Sequence, residues 1–503
     1  MYLNKKSYKF ILLFLTMLVC LWGCGRIPDG EYAASVTLTG GSGKAYIESP
    51  CKIEVKNGQM TADIVFSSPN YDYMIVSGKT YSPVNEEGNS EFIIPVVLDK
   101  EMQVQADTTA MSSPHLIDYT LTFSLVEDDA AIEDSQEDND LKTNASEKDR
   151  LESLNAPVLE GYSLLSSDEN DYAQGFRIHR YEKDIAMITV DDGRKYLILP
   201  EGVECPDKLP SDTTVIKRPL SDIYLAATGA MCHFDSLGAT YLVSLSSIQE
   251  KDWYIASAKD AMENGSLIYG GKYNAPDYEM ILEKKIQLAI ENTMILHAPK
   301  VLERLEDLEI PVFIDRSSYE NEPLGRLEWI RVYGLLADKE KEAGEFFDQQ
   351  KSLVESLDKS GTSGKKVAVF SVNSNHQIVT RKGNDYLSKM IEQAGGEYLS
   401  PVENQEDMAS TQMTISAEAF LAYAKEADIL IYNGTIQNAP TTIDELTSVD
   451  KLFSQFDAVR EGNVWYTDKA LYQFAGKTGT IIENLNQVIM SQEKETEFFH
   501  GLN

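Results

Sequence analysis

Positive charge is scarce in this chain. Lys and Arg number 45 against 80 Asp and Glu, which leaves a formal charge of −35 over 503 residues. Nucleic acid is excluded as a partner, because releasing the counterions of a phosphate backbone needs clustered Lys and Arg. Cysteine is nearly as rare: five residues, at 20, 24, 51, 205 and 232, without a CxxC pair or an even framework. A disulfide scaffold is therefore not expected, and ordinary cores must supply stability. Hydrolase signatures are missing too, with neither GxSxG nor HExxH present. Gly40-Gly41-Ser42-Gly43-Lys44 has Leu38 where a P-loop needs its first glycine. Lys477-Thr478-Gly479-Thr480 copies a KTG strand of penicillin-recognising enzymes. Its companion motifs would be Ser363…Lys366 and Ser371-Val372-Asn373, too close together to wall a cleft. The chain is expected to bind rather than to catalyse.

Long apolar runs are absent apart from one. Lys5, Lys6 and Lys9 precede the uncharged stretch Phe10 to Val19, a secretory pattern too short for a comfortable membrane span. The stretch leads to Leu21-Trp22-Gly23-Cys24, which resembles a bacterial lipobox. That resemblance makes 1–23 a lipoprotein signal peptide, Cys24 the lipidated residue, and the outer face of the cell membrane the address.

The mature chain reads as two parts. Period-two alternation recurs over Tyr32–Thr39, Lys52–Lys56, Thr61–Phe66, Tyr73–Val76, Glu91–Val97, Gln103–Asp107 and Asp118–Phe123. Asn57-Gly58 and Ser77-Gly78 punctuate these runs as hairpin turns do. Residues 29–125 are accordingly expected to form an antiparallel sandwich of immunoglobulin type. Eight carboxylates within the fourteen residues Glu127–Asp140 mark 126–156 as an acidic, charge-extended linker. Beyond it, strands alternate with amphipathic helices, as in an α/β architecture. The expected strands are Asp184–Val190, Lys195–Leu199, Asn292–Leu296, Pro311–Ile314, Lys366–Ser371 and Asp428–Tyr432, with a helix around Asp222–Met231. A proline-free charged helix is expected over Gly334–Leu357.

Two α/β lobes joined by one long helix, together with Ile310-Pro311-Val312, Asp315-Arg316-Ser317-Ser318-Tyr319, Glu322 to Ile330, Ile378 to Gly383 and Ile391 to Gly396, resemble a known class. It is the class of solute-binding proteins serving siderophore, haem and cobalamin importers. The resemblance spans roughly residues 205–490. It implies a periplasmic-binding-protein fold with lobe 1 at 157–335, a connecting helix at 336–360 and lobe 2 at 361–495. It also implies an ABC permease dimer as partner, and a transported iron complex or haem as ligand with no intrinsic cofactor. One exposed glutamate per lobe docks the permease in that class. Pro276-Asp277-Tyr278-Glu279 and Ser416-Ala417-Glu418 occupy the matching positions, with Glu283 as an alternative to Glu279.

For an anionic metal complex, a cleft needs arginine for carboxylates and aromatics for stacking. Arg381 and Arg316 follow apolar strands, where open α/β lobes place binding loops. Tyr319, His233, Trp253, Tyr254 and Tyr472 complete the candidate set. His179, His233, His297 and His376 are scattered, so no metal site is assigned, although direct zinc or manganese binding remains an alternative. Another is a cell-surface haem receptor uncoupled from a permease.

The β-part has a resemblance of its own. Ser67 to Met74, Leu98 to Met102 and His115 to Phe123 are similar to the haem-binding NEAT module of Gram-positive surfaces. The resemblance implies a haem site at His115 and Tyr119, in place of that module's YxxxY, with Ser68, Tyr71, Tyr73 and Met74 nearby.

Overall fold

The computed structural model describes residues 30–40, 47, 51–56, 59–66, 68–85, 89–98, 100, 102–109, 115–125, 147–357, 364–373, 376–402, 411–435, 438–467 and 469–503. The expected signal segment with Cys24 and residues 126–146 of the expected linker 126–156 lie outside the described residues; the rest of that linker is not extended, since Glu147–Ser153 forms a helix tied to the second unit by Arg150 pairing with Asp191. The chain divides into two compact units, 1–126 and 127–503.

Among the described residues the first unit is an eight-stranded antiparallel structure. Its strands are β1 (Gly30–Gly40), β2 (Cys51–Lys56), β3 (Gln59–Val65), β4 (Tyr71–Val76), β5 (Lys79–Tyr81), β6 (Glu91–Pro95), β7 (Met102–Thr108) and β8 (His115–Leu125). They run in the order β5-β4-β7-β8-β1-β2-β3-β6. Alternation does what the sequence requires: Cys51, Ile53 and Val55 point inward, while Lys52, Glu54 and Lys56 face water. Ser77 and Gly78 both have positive φ, as a two-residue hairpin demands. β1 changes partner at Ala34, pairing with β2 before it and β8 after it. The ring of Phe66 stacks on Tyr71 at 4.1 Å and reaches Phe92 and Tyr119 at 5.8 and 6.3 Å. Strands from both halves of the sheet path thus share one core.

The second unit opens with a short helix, Glu147–Ser153. A five-stranded sheet of β9 (Leu164–Ser167), β10 (Phe176–Tyr181), β11 (Ala186–Val190), β12 (Lys195–Leu199) and β13 (Thr213–Lys217) follows in sequential order. Lobe 1 is built on β14 (Ile223–Leu225), β15 (Val243–Ser246), β16 (Ile268–Tyr269), the small hairpin β17 (Gly271–Lys272) and β18 (Ala275–Pro276), β19 (Leu288–Asn292) and β20 (Val312–Asp315). Its main sheet is wholly parallel, ordered β16-β15-β14-β19-β20. Lobe 2 holds β21 (Lys366–Val372), β22 (Ile378–Arg381), β23 (Glu397–Tyr398), β24 (Gln412–Ile415), β25 (Ile429–Tyr432), β26 (Val464–Tyr466) and β27 (His500–Gly501). There the order is β24-β22-β21-β25-β26-β27, with β23 beside β21. One apolar cluster runs from Leu288 and Phe313 of lobe 1 through Trp329, Tyr333 and Phe347 to Val367, Ile431 and Ile482 of lobe 2.

Three sequence expectations need correction. The strand expected over Asn292–Leu296 ends at Asn292, and Thr293–His297 is a 3-10 turn whose Met294 N–H is capped by Asn292 Oδ1 at 2.9 Å. Asp222–Met231 is not a helix: β14 occupies its start, and the helix Met231–Ser236 begins where the expected one stopped. The connecting helix spans Glu340–Ser356, separated from a distinct helix, Ile330–Leu336. Asp338 breaks the two by adopting φ 54°, held there by Arg218 Nη1 donating to its Oδ1 at 2.7 Å. Gly334 lets the two helices cross closely, because a Cβ on it would stand 2.5 Å from that of Ala343.

Candidate ligand site

Parallel α/β sheets present ligands at the carboxyl ends of their strands. In lobe 1 these ends are Asn292 after β19 and Asp315 after β20. Both line a cavity of about 100 Å³. Lobe 1 also supplies Thr293, Met294, Ser317, Ser318 and Arg326 to its wall; lobe 2 supplies Tyr386, Leu387, Met390, Leu471 and Tyr472. The cavity therefore lies in the cleft between the lobes. Apolar walls carrying a few fixed polar groups are what a small-molecule site requires.

Each polar group is held. Asp315 accepts from Ser317 N at 2.8 Å and Ser317 Oγ at 2.6 Å, and Tyr333 Oη donates to its other oxygen. Burial pushes the Asp315 carboxyl upward despite these donors. Arg326 donates through Nε to the Glu320 carbonyl at 3.1 Å, and its guanidinium lies 4.2 Å from the Tyr386 ring centroid. The cleft is latched beside the cavity by the segment Lys469–Lys477. Gln473, fully buried, donates to the Asp252 carbonyl at 2.7 Å and accepts from Tyr254 N at 2.8 Å. Gly476 N donates to Cys232 Sγ at 3.0 Å.

The expected ligand residues separate into groups. Tyr472 lines the cleft, and Tyr254 meets it edge-on across the lobes at 6.4 Å. Arg316 and Tyr319 line a different, polar cavity of about 240 Å³. Arg381, placed first among the arginines, is instead 3 % exposed and ion-paired with buried Asp385 at 3.2 Å. It closes the strand β22 inside lobe 2 and lines neither cavity. Trp253 is a core residue whose indole N–H reaches Ser246 Oγ. His233 is buried, stacks on Tyr333 at 4.8 Å and is pushed down to about 3 by desolvation. Trp253 was placed near ligand for its polar loop and His233 for its position after an expected helix, and neither sign reports the apolar surroundings that the fold gives them. Arg326 was missed; its signal was an arginine one turn into a helix opened by Pro323 after a strand-end loop.

Glu279 and Glu418 occupy equivalent places. Each lies exposed in the first turn of a helix, Tyr278–Lys284 and Ala417–Ala424, capped respectively by Asp277 and Ser416. Each helix feeds a sheet strand, β19 or β25. In the first unit, Tyr119 is 3 % exposed, and its hydroxyl lies 3.1 Å from that of Tyr71. Met74 is fully buried and Ser68 stabilises a turn with Asn70, while Tyr73 is half-buried. The ring expected to brace haem thus lies inside the core; the side chain of His115 is outside what is described. Among the described residues no cluster of three or more His, Cys, Asp and Glu could hold a metal ion.

Residues 241–471 match the model of the periplasmic binding protein family. An uncharacterized lipoprotein of Methanocaldococcus jannaschii is 22% identical over 322 residues, covering 61% of this chain and 76% of its own. Among solved structures, the haem binding protein of Vibrio cholerae has TM-score 0.44 at 14% identity, over 54% of this chain and 98% of that one. A possible iron-binding protein of Staphylococcus epidermidis has TM-score 0.42 at 19% identity, over 55% and 100%. The vitamin B12 binding protein of Vibrio cholerae has TM-score 0.40 at 16% identity, over 55% and 99%. The stretch matching the periplasmic binding protein family starts in lobe 1 and ends at Leu471. It thus contains most of the cleft wall, including Arg326 and Tyr386.

Proposed function

We propose that this chain is the extracytoplasmic, lipid-anchored binding subunit of an ABC importer for an iron complex, such as a ferric siderophore or haem, or for a related metallocycle. The observation that carries the reading is the cavity walled by both lobes, most of it in a stretch that matches the periplasmic binding protein family. Arg326 supplies the cation for an anionic chelate, and Tyr386 and Tyr472 supply aromatic faces. The mechanism is capture without turnover. About 100 Å³ is far below an ordinary ligand pocket of ~300–1,000 Å³. A chelate therefore enters only when the lobes part at the latch. Glu279 and Glu418 then present the loaded protein to two halves of a permease, since two separated charges on one body steer and orient an encounter.

Absorption titration of the purified chain with haem, ferric siderophores and cobalamin tests this. Saturable stoichiometric capture of one of them, weakened by Arg326→Ala, supports the reading. No capture of any, or catalytic conversion of one, overturns it.

A further inference from the structure

The 240 Å³ polar cavity is separated from the cleft by a single turn, Ser317–Tyr319. Ser317 and Ser318 face the cleft, whereas Arg316 and Tyr319 face the polar cavity. Its walls are unusually well fixed. Five consecutive amides, Asp171 to Gly175, donate to two buried glutamates: three to Glu328 at 2.8 Å each, and two to Glu320 at 2.9 and 2.8 Å. Trp329 Nε1 adds a further bond to Glu320 at 3.0 Å. Glu322, from lobe 1, accepts from Lys389 and Gln393 of lobe 2 at 3.3 Å. Arg150, from the helix Glu147–Ser153, closes one side by pairing with Asp191.

Every charged group in this wall is hydrogen-bonded except one. Arg316 is 8 % exposed and has its ring partner, Tyr319, 4.2 Å from the guanidinium. Its Nε sits 3.3 Å from Asp191 and 3.4 Å from Asp192, in Coulombic range but without a hydrogen bond. Its two terminal nitrogens have no hydrogen-bonded acceptor among the described residues. Nε alone is shut off from solvent without a hydrogen bond, so the two terminal nitrogens open toward the cavity and can donate to a molecule in it. A planar carboxylate matches that fork in two bonds.

The lining limits what the carboxylate is attached to. Three cations, Arg150, Arg316 and Lys389, face three acids, Asp191, Glu320 and Glu322. A near-neutral wall disfavours a polyanion and accommodates one carboxylate or a zwitterion. The volume, about 240 Å³ and just below the ~300–1,000 Å³ of an ordinary ligand pocket, suits a small molecule of amino-acid size. We propose that this cavity binds a second small molecule, a monocarboxylate or α-amino acid, gripped by Arg316 and stacked against Tyr319. The site goes beyond the cleft reading and does not depend on the cleft ligand. A molecule seated there touches both lobes, because Lys389 belongs to lobe 2 while Arg316, Tyr319, Glu320 and Glu322 belong to lobe 1.

Isothermal titration of the purified chain, free of any iron complex, tests it with glycine, L-alanine, L-glutamine, propionate and inorganic phosphate. At least one carboxylate should bind saturably at millimolar concentration or tighter, and phosphate should not. Arg316→Lys keeps the charge beside Asp191 and Asp192 but loses the fork, so affinity should fall at least tenfold with the melting temperature nearly unchanged. Lys389→Ala, on a half-buried residue, should weaken binding severalfold without unfolding the chain. Silence with every carboxylate overturns the proposal, as does phosphate binding equally well. Carboxylate binding that ignores both substitutions overturns it too. Because no chelate is present, these outcomes are independent of whether the cleft captures one.

Discussion

The guanidinium of Arg326, from lobe 1, lies face-on over the ring of Tyr386, from lobe 2, at 4.2 Å. This contact spans the cleft at the cavity wall, so a ligand entering there must meet or displace it. A cation–π pair of this kind is worth about 0.5–2 kcal/mol.

Two substitutions separate its roles. Tyr386→Leu removes the stacking partner and leaves the cation, so anionic chelates should still be captured, with affinity altered by at most about thirtyfold, the equivalent of ~2 kcal/mol. Arg326→Ala removes the charge and should cost more for anionic chelates than for neutral corrinoids. Titrating both ligand types against both variants checks the difference.

Glu279→Ala combined with Glu418→Ala should leave ligand affinity unchanged and abolish uptake by cells carrying the cognate permease. Both carboxylates are exposed, and neither lines the cleft cavity. Radiolabelled-iron uptake beside a binding assay distinguishes loss of docking from loss of capture. Unchanged uptake would point to a receptor that works without a permease.

Two buried groups set opposite pH dependences. Glu291 is fully buried on β19 with neither oxygen hydrogen-bonded, and desolvation raises its carboxyl well above the usual range. The folded state therefore holds this proton where the unfolded state releases it, and stability falls as pH rises above about 4.5. Glu291→Gln should stabilise the chain at pH 8, with the gain shrinking toward pH 4. His233 behaves in the other sense. Its folded value near 3 lies below the ordinary 6.5, so stability present above pH 6.5 is lost as pH falls toward 3. His233→Phe should flatten that acid limb. Urea denaturation from pH 4 to 8 measures both slopes.

Gly479 sits where the helix Thr478–Ser491 meets the connecting helix, and a Cβ there would stand 2.2 Å from the Gln350 carbonyl oxygen. Gly479→Ala should destabilise the second unit by about 1–3 kcal/mol through overpacking. Thermal melting checks the magnitude. The motif Lys477-Thr478-Gly479-Thr480 thus has a packing explanation: it enters a helix rather than forming a catalytic strand.

The strands of the first unit were largely legible because one face is buried and the other wet, so period two survives in the residues themselves. β5 was missed because its three residues, Lys79–Tyr81, are too short to show a period. In the second unit β12, β21 and β25 were found from their apolar runs, while β14 was read as helix. Ile223, Tyr224 and Leu225 are all buried, so that strand carries no alternation to distinguish it. The site was less legible. A strand-end position raises the odds for an arginine, yet whether its charge is already paired depends on a residue such as Asp385, four positions away on the chain but folded back against it. Arg381 and Arg316 look alike in sequence; only the folded chain shows the first paired with its acid through a terminal nitrogen and the second facing its acids through Nε, with its fork open.

The segment Lys469–Lys477 continues the chain of lobe 2 but lies against Cys232, Asp252 and Tyr254 of lobe 1. The lobes are thus hung like a door, hinged at the connecting helix and bolted at this returning segment. Such a door opens only as easily as its bolt slides. Weakening the bolt at Gln473 would let it swing more freely while leaving the hinge intact.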